Sequence, residues 1–218
     1  MNLTASHDSP RMATSFQNKH QYKFRMGARD NHTLNLAPPA ETTLHEMRMM
    51  LLHQFTFLSA PHIWNGEELG MWGADDPDCR KPILWKDIDH RPQTWRPDGR
   101  ESRPITVRPN LELLDYYRVL IALRKERREL VCGKIEYILT DDHAMTLAYR
   151  RVMADRETII AFNRSDRPQV IRLKRDTGTM LKSLMESRQG SLAAFEQTDS
   201  EIHFELAPFS GVALGTVQ

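Results

Sequence analysis

The hydrophobic period of this chain changes once, near Val131, and that change limits what it can fold into. Upstream, apolar residues recur at steps of three and four. Leu44, Met47, Met50, Leu51, Phe55 and Leu58 line one face of an expected helix over 41–58. Leu113, Leu114, Tyr117, Leu120, Ile121 and Leu123 do the same over 111–128. Pro61 follows the first helix and stops it, and Asn110 caps the second. Arg124, Lys125, Arg127 and Arg128 sit where the negative end of the helix dipole favours them. Downstream of 131 the period becomes two. Short β-rich runs at 134–139, 144–151, 158–163, 169–173, 201–206 and 211–216 alternate with turn residues such as Asp141-Asp142. This spacing predicts an antiparallel sandwich of about six to eight strands.

The first part is less regular. Residues 1–8 read as a strand end followed by a functional loop, and 9–40 as polar and irregular. Residues 62–65 read as a short buried strand ended by Gly66, and 70–109 as a long excursion rich in proline and charge. The 218 residues suffice for one large domain or two small ones. Formal net charge is only +1, so no strong field is available to recruit nucleic acid or an anionic membrane. The Lys–Arg cluster on the second helix lacks interleaved aromatics, and no apolar run approaches membrane-spanning length. Two cysteines, Cys79 and Cys132, make neither a disulfide framework nor a metal spacing. They read as reduced thiols of a cytoplasmic protein. The first residues carry no leader pattern. His20, His45 and His53 have no partner at ligand spacing, and neither a glycine-rich phosphate loop nor a Ser–His–Asp arrangement occurs. No metal or cofactor is expected.

Chemistry-bearing residues crowd two stretches. One is Ser6-His7-Asp8-Ser9-Pro10-Arg11, past an apparent strand end, where an imidazole and a carboxylate stand side by side. The other runs from Ala60 to Trp85 and contains Gly66-Glu67-Glu68-Leu69-Gly70, Trp72 and Asp76-Pro77-Asp78-Cys79-Arg80. Carboxylates and guanidinium groups hold pairs of hydroxyls, and indole faces stack on the apolar face of a pyranose. Adjacent residues on an extended chain point opposite ways, so Glu67 and Glu68 cannot serve one substrate together. Glu68 reads as structural and Glu67 as a loop residue. Trp64 reads as core, and Trp72 and Trp85 as the better sugar contacts.

These stretches resemble the end of the catalytic barrel in the α-amylase superfamily, glycoside hydrolase family thirteen, and within it the cyclomaltodextrinase, neopullulanase and maltogenic amylase group. The His7-Asp8 string looks like the signature after the seventh barrel strand. By that match His7 holds hydroxyls of the sugar at the cleavage point, and Asp8 is the third essential carboxylate, steadying the oxocarbenium-like transition state. The Asp-Pro-x-x-Arg string after the eighth strand implies that Asp76 or Asp78, with Arg80, binds the next sugar outward. The glycine-flanked Glu67-Glu68 differs from the family's usual Asp-Glu at its first acid. Leu206-Ala207-Pro208-Phe209-Ser210-Gly211-Val212-Ala213-Leu214 looks like the last strands of the family's C-terminal sandwich.

The resemblance implies an α+β chain. Residues 1–130 would be the last strands and helices of a (β/α)8 barrel, and 131–218 an all-β sandwich. A complete barrel needs about 250 residues alone. A retaining glycosidase needs a nucleophile and a general acid about 5–5.5 Å apart, which the family places after strands four and five. Neither has a counterpart here, so the expected chain is a C-terminal piece of an α-glucan hydrolase, inactive alone. Its expected partners are an α-glucan or maltooligosaccharide and the upstream part of the barrel, with self-association through an open strand edge. Two other classes stay open: a non-catalytic carbohydrate-binding or partner-docking module, and a piece of a glycosyltransferase on the same scaffold.

Overall fold

The structure, a computed structural model, describes residues 1–21, 27, 31–96, 98–175 and 179–216. It forms two compact units that interleave along the chain: residues 1–47 with 61–118, and 48–60 with 119–218. Helices and strands are mixed, and among the described residues every strand pair but one is antiparallel. No helix among the described residues is long and apolar enough to cross a membrane.

The first unit contains that one parallel pair. Strand β1 (Asn2–Leu3) lies beside β2 (Pro61–His62), with Asn2 opposite Pro61 and Leu3 opposite His62. Helix α1 (Met12–Gln17) interrupts the stretch expected to be irregular, part of which falls outside the described residues. Helix α2 (Glu41–Thr56) starts in this unit, burying Leu44 and Met47. The hairpin of β3 (Gln93–Trp95) and β4 (Glu101–Ile105) projects from the excursion. Helix α3 (Leu111–Glu126) is capped as its sequence requires: Asn110 Oδ1 accepts the Leu113 backbone N–H at 2.9 Å. The strand expected over 62–65 is shorter and less buried than its apolar residues suggested. Only His62 is in a ladder, and Ile63 is 36% exposed. A parallel pair needs cover on both faces, and this one is two strands wide.

The second unit is the sandwich, with eight strands among the described residues, within the six to eight expected, of which six were read as runs. Residues 128–132 form a short helix, α4 (Arg128–Cys132), after a break at Arg127. Next come β5 (Lys134–Asp141), β6 (Thr146–Met153), β7 (Arg156–Asn163) and β8 (Gln169–Lys174). After them come β9 (Lys182–Glu186), β10 (Leu192–Gln197), β11 (Glu201–Leu206) and β12 (Ser210–Gly215). One sheet has the order β5-β6-β7-β12-β9 and the other β10-β11-β8. Alternation sets the faces. Ile202, Phe204 and Leu206 of β11 point inward, meeting Ile159, Ala161, Val212 and Leu214 of the larger sheet in one core. The larger sheet is buried on its outer face too. There Tyr149 and Phe162 pack against His53 and Phe57 from the end of α2 and the residues after it. Strands β7 and β12 are therefore buried almost throughout rather than alternating. Gly211 is required on this face, because a Cβ there would lie 2.5 Å from the Phe162 ring.

Two arginines, Arg151 fully buried and Arg124 half-buried, tie this unit together. Arg151 donates to the carbonyls of Thr56, Phe57, Leu130 and Gly133 at 2.7–3.0 Å. Arg124 reaches the carbonyls of Phe55, Phe57, Ser59 and Leu130. Both cations thus sit at the carbonyl-rich end of α2, where the helix dipole is negative.

Candidate functional site

Two loops of the first unit, one after β1 and one after β2, converge. What fixes them is a buried ion pair. Arg11 Nη1 lies 3.1 Å from Glu67 Oε1 and 3.0 Å from the Asn65 carbonyl, while Glu67 Oε2 accepts the Met12 N–H at 3.1 Å. Both side chains are 1% exposed. Burial raises the Glu67 carboxyl to about 7, against the opposing pull of Arg11 and the Met12 N–H. A perturbed carboxyl in a cleft is a candidate acid, but this one is sealed and bonded on both oxygens. Its work is to clamp the first loop to the second.

That corrects the reading of Glu67 and Glu68. They do not lie on an extended strand. Gly66 adopts φ +93° and Gly70 φ +67°, and between them Glu67–Leu69 form a 3-10 turn. At φ +93° Gly66 has a backbone conformation that side-chain-bearing residues rarely adopt, so glycine is required there for conformation. The turn sends Glu67 inward to Arg11, while Glu68 Oε2 accepts only the nearby Gly66 N–H among the bonds described. Glu67, not Glu68, is the structural acid. Arg11, which sequence reading passed over, is its partner.

Above this clamp lies the cluster. Arg80 is its hub. Its Nε donates to the His7 carbonyl at 3.0 Å and lies 2.8 Å from Asp76 Oδ1; its Nη2 donates to Asp8 Oδ1 at 3.1 Å. His7 Nε2 lies 2.9 Å from the other Asp8 oxygen. Cys79, buried beneath, donates its thiol to the same His7 carbonyl, and the Trp64 ring centroid is 6.0 Å from that of His7. His7, Asp8, Asp76 and Arg80 all remain at least 45% exposed, so each keeps unused hydrogen-bonding capacity toward solvent. Two carboxylates paired with one guanidinium, with an imidazole on one of them, can hold adjacent hydroxyls, each free oxygen accepting and each free N–H donating.

The structure separates Asp76 from Asp78. Asp78 is turned into its own loop: Oδ2 accepts the Ala74 N–H at 2.7 Å and Oδ1 pairs with Lys81 at 3.2 Å. Its side chain is 7% exposed. Trp72 is also inside. It is 6% exposed, its carbonyl receives Lys81 Nζ, and its ring lies 5.8 Å from that ammonium. An indole so covered has no face for an extended glucan at the cluster. Trp85, at 57%, has one. Among the described residues no group of three His, Cys, Asp or Glu side chains is placed to hold a metal ion.

No family model matches this chain. Curated relatives do. It is 28% identical to a cyclomaltodextrinase of Geobacillus thermopakistaniensis over 165 residues, 76% of this chain and 21% of that protein. It is 26% identical to neopullulanase 2 of Thermoactinomyces vulgaris, over 78% of this chain and 25% of that protein. An intracellular maltogenic amylase of Bacillus subtilis is 26% identical over 79% of this chain and 22% of its own length. The chain therefore spans about a fifth to a quarter of the length of these relatives. Among solved structures, the debranching enzyme of Nostoc punctiforme superposes with a TM-score of 0.63, covering 98% of this chain and 35% of that one at 21% identity. The sequence thus resembles the cyclomaltodextrinase, neopullulanase and maltogenic amylase group, as its loop motifs implied, and the fold is found in α-amylase family enzymes.

Proposed function

We infer that this chain is the C-terminal piece of a retaining α-glucan hydrolase of the α-amylase family. In this reading residues 1–130 close a (β/α)8 barrel and 131–218 are its C-terminal sandwich. The observation that carries it is the gathering of Asp8, His7 and Asp76 around Arg80. A loop after each of two parallel strands supplies that cluster, and active sites of such barrels are built from loops at that end.

Asp8 is the charge that steadies the oxocarbenium-like transition state. His7 positions Asp8 and takes a sugar hydroxyl. Arg80 and Asp76 hold the next sugar outward, and Asp78 keeps their loop in shape. Trp72 supports the loop from within. Hydrolysis by a retaining route needs a nucleophile and a protonated acid about 5–5.5 Å apart. In the cluster both carboxylates bond to the Arg80 guanidinium, and Glu67 is sealed below. The chain therefore holds sugar but does not cleave it by itself; nucleophile and acid come from the upstream part of the barrel, its partner in the whole enzyme. The substrates are α-glucans or maltooligosaccharides. Titrating the isotope-labelled chain with maltotriose tests the reading. Resonance shifts centred on residues 7, 8, 76 and 80, lost in Arg80→Ala, are expected. Shifts confined to other parts of the chain would overturn it.

A further inference from the structure

The peptide group between His7 and Asp8 lies beyond the β1–β2 ladder, yet both of its polar atoms are bonded. Its N–H donates to Ser6 Oγ at 3.2 Å. Its carbonyl accepts two donors that are neighbours in sequence, the Cys79 thiol at 3.1 Å and Arg80 Nε at 3.0 Å. A backbone carbonyl has two lone pairs, so this one is fully used. A peptide unit is planar, so holding its C=O and its N–H fixes the plane from which the Asp8 side chain departs.

The two donors differ. The Arg80 side chain is 47% exposed and also serves Asp8 and Asp76. A sugar that engages its N–H groups draws on the same guanidinium. Cys79 is fully buried. Burial, and after it the charge of Asp76, pushes the thiol pKa up, so the group keeps its proton and remains a donor. Solvent does not contest a covered bond, and the low local dielectric strengthens it. The thiol also stands on a fixed base. Asp78–Arg80 form a 3-10 turn, in which the Asp78 N–H donates to the Asp75 carbonyl at 3.0 Å and the Arg80 N–H to the Pro77 carbonyl at 3.1 Å.

We propose that Cys79 is a positioning residue, whose thiol holds the His7–Asp8 peptide, and with it the Asp8 carboxylate, in place while Arg80 turns to a bound sugar. The proposal rests on the reading of the cluster as a holder of α-glucan. Cys79 is covered and touches no sugar itself; it acts through the His7 carbonyl.

Three substitutions in the whole chain test it. Cys79→Ala is smaller than cysteine and Cys79→Val is larger, and neither has a donor; Cys79→Ser keeps one. Backbone order parameters from nitrogen relaxation are read at Asp8, with the helix Leu111–Glu126 as reference, and maltotriose affinity is measured alongside. Cys79→Ala and Cys79→Val should each lower the order parameter at Asp8 and weaken maltotriose about fivefold, the worth of one hydrogen bond. Cys79→Ser should stay near the parent in both, and order in the helix should hold in all three. Alanine and valine depart from cysteine in opposite directions, so a loss that they share and serine escapes does not come from packing. If one apolar variant fails to fold, the other decides against serine. Unchanged order at Asp8 in the apolar variants, a serine variant as loose as they are, or lowered order with undiminished maltotriose affinity would each overturn the proposal. The order parameter needs no sugar. A parent chain that binds no maltotriose therefore overturns the proposed function, while order at Asp8 still decides whether Cys79 holds the peptide.

Discussion

Replacing Arg151 by methionine should unfold the sandwich unit more readily than any surface change. The side chain is fully buried and bonds to four carbonyls, with no carboxylate among its described partners. Two of those carbonyls, Phe57 and Leu130, are also reached by Arg124, at 3.3 and 2.8 Å, and keep a donor in the variant. Thr56 and Gly133 are reached by Arg151 and not by Arg124. Each buried acceptor that loses its donor costs about 1–3 kcal/mol, giving about 2–6 kcal/mol for the pair. Against this stands the relief of no longer burying a cation, whose Nε is itself unpartnered among the described residues. A net loss of about 3 kcal/mol follows, and for a unit of this size that is a drop in melting temperature of about 10 °C or more. Arg151→Lys should recover little, since one ammonium cannot reach four carbonyls spread about a planar fork. Urea unfolding followed by near-ultraviolet circular dichroism reads both. A variant within about 0.5 kcal/mol of the parent would refute the reasoning, because changes of that size are ordinary at exposed positions without special contacts.

Arg80→Ala should behave in the opposite way. Its ion pairs are about half exposed, and such pairs contribute about 0–1 kcal/mol, so the melting temperature should barely move while maltotriose affinity falls about tenfold or more. His53 gives a pH dependence. Burial lowers its pKa below the ordinary 6.5, so the unfolded chain binds its proton first as pH falls. Stability contributed by neutral His53 is therefore full above pH 6.5 and is lost as pH drops through that value toward the folded pKa. In His53→Gln, the difference in unfolding free energy between pH 7.5 and pH 5.5 should shrink. An unchanged difference would place the titration elsewhere.

Much of the fold was legible because the period is a direct consequence of burial. Leu113, Tyr117, Leu120 and Leu123 are buried as their spacing predicts, and Asn110 caps their helix. The β8 and β11 alternation is equally plain. Strands β9 and β10 were missed because little in them alternates. Lys182 and Ser183 are exposed, and β10 shifts register between Ala193 and Glu196, with Ala194 at φ +48°. Such a break erases the period-two signal. At the site, the resemblance of the loop motifs to the α-amylase family pointed to His7, Asp8 and Arg80, but not to which aspartate faces outward. That is decided by Asp78 turning back to the Ala74 N–H, a loop-closing bond with no trace in composition. The roles of Glu67 and Glu68 were reversed because a 3-10 turn, not a strand, carries them. Trp72 differs from Trp85 only in what covers it, and that depends on distant parts of the excursion.

In the proposed function this chain holds α-glucan without the pair of groups needed to cleave it. Reducing-sugar release from maltoheptaose by the purified chain tests it directly. Release at the level of the buffer control is expected at any protein concentration. Release that rises in proportion to protein and vanishes in Asp8→Asn would contradict it, since the chain would then contain its own nucleophile and acid.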